Sequence, residues 1–75
     1  MNNRQNKKLL GMELLRKTQI LSQSNAITTK ERLAIASSIS EGMATGTFSR
    51  LKDILFEILP TTELPEIVEE MILSI

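Results

Sequence analysis

Phe48-Ser49-Arg50-Leu51-Lys52-Asp53-Ile54-Leu55-Phe56-Glu57-Ile58-Leu59-Pro60 carries a strong helical pattern with a clear stop. Phe48, Leu51, Leu55, Ile58 and Leu59 recur at spacings of three and four with Ile54 beside them, while Lys52, Asp53 and Glu57 fall mostly off that stripe. This is the 3.6-residue period of a helix with one buried face. Pro60 stops it, because a proline ring disfavours helical geometry at the residue before it. A helix this short is marginal alone in water and must be covered by other elements. The rest of the chain is read as that cover.

Downstream, Thr61 and Thr62 offer caps, and Pro65 suits the first turn of a helix, where no amide partner is lost. The helix is expected from Glu63 or Leu64 to the terminus. Leu64, Ile67, Val68, Met71, Ile72 and Ile75 form its apolar side, and Glu63, Glu66, Glu69 and Glu70 the other. The apolar end, Leu73-Ser74-Ile75, is expected to pack on the core or on a second chain. Upstream, Thr28-Thr29-Lys30-Glu31 fits a capping box. The helix it starts carries Leu33, Ile35, Ala36, Ile39 and Met43, with Ala34, Ala36, Ser37 and Ser38 small enough to admit a neighbouring helix. Thr45-Gly46-Thr47 ends it, Gly46 suiting a left-handed closing position. A first helix over about Gln5 to Ser22 puts Leu10, Leu14, Lys17 and Leu21 on one face, widened by Leu9, Met12 and Ile20. Gly11 weakens it by roughly 1 kcal/mol relative to alanine. Met1 to Arg4 are expected to fray, and Ser22-Gln23-Ser24-Asn25 makes a polar break.

The expectation is a single all-α domain over residues 1–75, a compact bundle of three to four short helices. A chain of 75 residues buries only about 60–65% of its unfolded surface. With no disulfide or metal to reinforce it, a homodimer is expected to complete the core. The candidates for that core or dimer interface are Phe48, Leu51, Leu55, Ile58, Met71, Ile72 and Ile75.

Composition narrows the chemistry. There is no His, Cys, Trp or Tyr, and Asp53 is the only aspartate. Imidazole bases, thiolate nucleophiles and soft-metal sites are therefore excluded. Gly11, Gly42 and Gly46 make no phosphate-cradling loop. The acidic side chains of the last helix face outward by pattern, so neither acid–base catalysis nor a hard-cation site is expected. No catalytic residue, cofactor or metal is assigned, and the chain reads as non-enzymatic. The apolar run from Leu9 to Leu15 is broken by Glu13 and followed by Arg16 and Lys17, too short and too charged for an export signal or a membrane span. A cytoplasmic protein is expected, of bacterial or phage style.

Nine basic and nine acidic residues cancel, yet they are unevenly placed. Residues 1–37 hold seven basic and two acidic side chains (+5), and residues 38–75 hold two basic and seven acidic (−5). Such asymmetry steers a charged partner to one end or aligns two copies head to tail. Glu63, Glu66, Glu69 and Glu70 are the candidate docking face for a basic partner. Arg4, Lys7, Lys8, Arg50 and Lys52 are the candidate phosphate or DNA contacts. The stretch from Leu33 to Leu51 superficially suits a helix-turn-helix, but its turn would fall near Ser38, inside the strong helical run. Zero net charge and the lack of aromatic interleaving also weigh against an autonomous DNA-binding domain.

The run Ile35 … Ile39 … Met43-Ala44-Thr45-Gly46, followed by Ile54-Leu55 … Ile58-Leu59 and a last apolar helix, resembles the small enterobacterial YmgB/AriR family. The resemblance covers about Arg32 to Leu73. It lies in apolar spacing and in the small residue plus glycine closing the second helix, and Thr47-Phe48-Ser49 stands where the family tends to an Asn-rich loop. It implies a dimeric regulatory or connector protein acting through other proteins, with possible DNA association and no active-site residues. The function expected is thus a small regulator working by protein–protein interaction: an adaptor, connector or inhibitor. The alternative is a small DNA-associated transcriptional regulator.

Overall fold

A computed structural model describes residues 3–62 and 64–75, with side chains from residue 8 onward. Four α-helices follow one another: α1 (Asn3–Gln23), α2 (Thr29–Thr45), α3 (Ser49–Ile58) and α4 (Pro65–Ser74), with a 3₁₀ turn over Leu59–Thr61 before α4. There is no strand among the described residues. The all-α reading and the number of helices stand.

The ends of the helices follow from local chemistry. The Glu31 amide donates to Thr28 Oγ1 at 3.1 Å and the Thr28 amide to Glu31 Oε1 at 2.8 Å, so the capping box at the start of α2 is complete. Thr28→Ala removes one acceptor from the exposed first turn and is expected to cost about 1 kcal/mol, measured by chemical denaturation. At the other end of α2, Gly46 takes φ 80 and its amide donates to the Gly42 carbonyl at 2.8 Å. The end of α1 is more elaborate than a polar break. Asn25 is left-handed (φ 59), its amide donating to the Ser22 carbonyl and that of Ala26 to the Leu21 carbonyl. This is a Schellman closure with asparagine in place of glycine, a substitution its short polar side chain tolerates. Pro60 ends α3, and the backbone tightens into the 3₁₀ turn, where Thr61 Oγ1 donates to the Ile58 carbonyl at 2.9 Å. Thr62 Oγ1 then accepts from the Leu64 amide, and Pro65 opens α4 at its first position.

The core is built from all four helices. Leu14 and Leu21 come from α1, Ile35 and Ile39 from α2, Leu51, Leu55 and Ile58 from α3, and Val68 and Met71 from α4, with Phe48 and Ala26 sealing the connections. Two hydroxyls are also buried, and each donates back to its own helix: Thr18 Oγ1 to the Leu14 carbonyl (2.8 Å), Ser38 Oγ to the Ala34 carbonyl (2.9 Å). Neither is therefore an unpaired polar group in the core. Two glycines act as contact surfaces. Gly11 on α1 lies under the Met43 side chain, and Gly42 on α2 lies under the Phe48 ring. Gly11 thus gives close packing in return for its low helix propensity.

Several expectations change. α1 starts at Asn3 rather than Gln5; Met1 and Asn2, within the stretch expected to fray, lie outside the described residues. Leu9, Met12 and Ile20 do not widen the buried face of α1. The core arc runs through Gly11, Leu14, Thr18 and Leu21, and the helical period puts those three on the opposite side, in solvent. Leu33 on α2 is exposed for the same reason. Of the C-terminal residues, Ile75 packs against the core and Leu73 does not. Phe48, Leu51, Leu55, Ile58 and Met71 are buried by their own chain, which fixes their role as core and removes them from any surface open to a second copy. Ile72 and Ile75 are half-buried.

Candidate functional site

On α4, Val68 and Met71 point into the core, and Glu66, Glu69 and Glu70 are exposed on the far side as the sequence suggests; Glu63 lies outside the described residues. The sequence pattern does not announce that Leu73 shares that acidic face. It is three residues beyond Glu70 and four beyond Glu69, so the helical period sets it among the carboxylates, 85% exposed. Phe56 is also misplaced by hydrophobicity alone. It follows Leu55 directly, which turns it away from the core stripe of α3, and it is 53% exposed.

These two side chains belong to one feature. Phe56 and Leu59 on the α3 side and Ile72, Leu73 and Glu69 on the α4 side line a cleft of about 260 Å³. Its lining is apolar except for the carboxylate of Glu69. Two other clefts carry polar or charged walls: Thr18, Gln19 and Arg32 between α1 and α2, and Lys30, Glu31 and Glu57 between α2 and α3.

The acidic residues of α4 are not equivalent. Glu70 accepts from Lys17 Nζ at 3.1 Å, and the Lys17 side chain is largely covered. This ion pair ties α1 to α4 and explains how Lys17 sits beside the core face of α1: its stem lies along apolar surface while the ammonium reaches Glu70. Glu66 and Glu69 make no ion pair among the described residues. They remain available to an outside cation.

The candidate DNA contacts are dispersed. Arg50 Nη1 donates to Glu41 Oε2 at 3.2 Å, joining the start of α3 to α2. Lys52 and Lys8 are exposed on different helices, and the side chains of Arg4 and Lys7 lie outside the described residues. α2 runs unbroken through Ser38, so the helix-turn-helix spacing is absent. Among the described residues no group of three acidic side chains is arranged to hold a metal ion, and no helix is long and apolar enough to cross a membrane.

No protein-family model, curated protein or solved structure matches the chain. The reading of function therefore rests on the surface itself.

Proposed function

We propose that the protein is a non-enzymatic regulator, an adaptor, connector or inhibitor, which binds another protein through the α3/α4 cleft and the carboxylates beside it. One observation carries this reading: Leu73 stands in water on the acidic face of α4, against a cleft floored by Phe56, Leu59 and Ile72. An exposed apolar patch rimmed by polar groups marks interaction sites on soluble domains. Anchors of this kind, few and clustered, supply most of the energy of an interface, while flanking charge supplies rate and selectivity. The alternative, a DNA-associated regulator using Arg50 and Lys52, is not favoured, since Arg50 already has Glu41 as its partner.

Affinity capture from the native cell tests the proposal, with wild-type chain and a Glu66→Ala/Glu69→Ala variant side by side. Both glutamates are exposed and make no ion pair among the described residues, so the variant should keep its stability to within about 0.5 kcal/mol per site. The expected result is one partner held by the wild type and lost from the variant. Equal capture by both would remove the acidic face from the account.

A further inference from the structure

We infer that the α3/α4 cleft is filled by α1 of a second copy of this chain, in a twofold pair where each protomer lays Leu9 and Met12 into the other's cleft. The inference rests on the reading of the cleft as a protein-binding surface and names its occupant while no other partner is bound, the second copy and that partner competing for the one cleft.

α1 carries the matching shape. Its outward face presents Leu9 (59% exposed), Met12 (57%) and Ile20 (41%), left open to solvent by the described residues. The helix also projects. Gly11 packs on Met43, two residues before α2 ends at Thr45, whereas α1 begins eight residues before Gly11. The first turns of α1 therefore run past the end of α2, in keeping with an elongated molecule of 37 × 20 × 20 Å. Leu9 and Met12 lie three apart, neighbours on one helix face, so they enter a cleft together.

Charge selects this pairing over the alternatives. Lys8 and Arg16, both exposed, lie beside the α1 stripe, Arg16 in a loose 3.9 Å pair with the exposed Glu13 on the same face, and Glu69 with Glu66 flanks the cleft. Two clefts placed face to face would bring Glu66 and Glu69 against their own copies, a like-charge juxtaposition that disfavours such a pair. Stripe into cleft sets Lys8 and Arg16 against Glu66 and Glu69, two cations outnumbering Glu13 on the stripe side. It uses the +5 and −5 halves of the chain twice over when the contact is reciprocal. A twofold axis closes the assembly at two copies, residue i meeting j and j meeting i, with no open-ended chain.

Light scattering and sedimentation equilibrium on the full chain test this with two variants and their mixture. Leu73→Lys spoils the cleft and Met12→Glu spoils the stripe, and both positions are exposed enough to leave the fold intact, which circular dichroism checks. Wild type is expected at twice its 8.4 kDa chain mass. Each variant alone is expected to weaken the dimer at least about tenfold. The equimolar mixture is expected to associate more tightly than either variant alone, since the intact stripe of one enters the intact cleft of the other at one of the two contacts. A wild type that stays a single chain at millimolar concentration overturns the inference. So does a Met12→Glu variant that pairs as tightly as wild type, or a mixture that associates no more tightly than either variant alone. Each of these failures leaves the capture experiment unchanged, so the binding of a different protein at the cleft is judged separately.

Discussion

Leu55→Ala is expected to leave the chain largely unfolded. Leu55 is fully buried in the middle of α3, between Leu51 and Ile58. Truncation removes three carbons and leaves a cavity, at a cost of about 2–5 kcal/mol. A core of this size supplies no more than about 3–5 kcal/mol in total. The loss therefore consumes most of the stability. Phe56→Ala, one residue along, removes a larger side chain that is half in water, and is expected to cost only about 1 kcal/mol. Thermal melts followed by circular dichroism compare the two. A Leu55→Ala protein as stable as the wild type would mean that the register of α3 is wrong.

Gly42→Ala is expected to destabilise by about 1–3 kcal/mol, against the direction of helix propensity. In an exposed helix interior the same change gains up to about 1 kcal/mol. Here the new methyl would overlap the ring of Phe48, which is buried at the entry to α3 and has nowhere to go without opening the core. Gly11→Ala is the control. Its added methyl meets the Cγ and Sδ of Met43, a flexible, partly buried side chain that can turn aside. The smaller strain is partly offset by propensity, so Gly11→Ala should rank well above Gly42→Ala in a denaturation series. Equal effects would contradict the packing described for Phe48.

Most of the architecture was legible because it is local. The capping box at Thr28 and Glu31, Gly46 as the closing residue, Pro60 as a stop and Pro65 as a start are each decided by a few neighbouring atoms. The stripe of α3 was legible because its core residues are all apolar. α1 was harder, since nearly every turn holds a large apolar residue and several arcs compete. The arc that wins runs through Gly11 and Thr18, neither of which hydrophobicity would select. Gly11 is chosen by Met43 and Lys17 by Glu70, both contacts across the bundle that no local pattern contains. The acidic face of α4 was legible, but the cleft was not, because it needs Phe56 and Leu73 together. Counting from Leu55 and from Glu70 places each outside its stripe; only the turn at Leu59–Thr61 brings them to one cleft.

What stands or falls as a whole is the pairing, in which the cleft lined by Phe56, Leu59, Ile72 and Leu73 takes α1 of a second copy. Methyl-resolved NMR of the chain, diluted from millimolar to micromolar concentration, addresses it most directly. Concentration-dependent shifts are expected at the methyls of Leu59, Ile72 and Leu73 together with those of Leu9 and Met12, following one binding curve, while Leu33 on the outer face of α2 stays still. Shifts confined to Leu33, or a spectrum unchanged across the whole range, would contradict it.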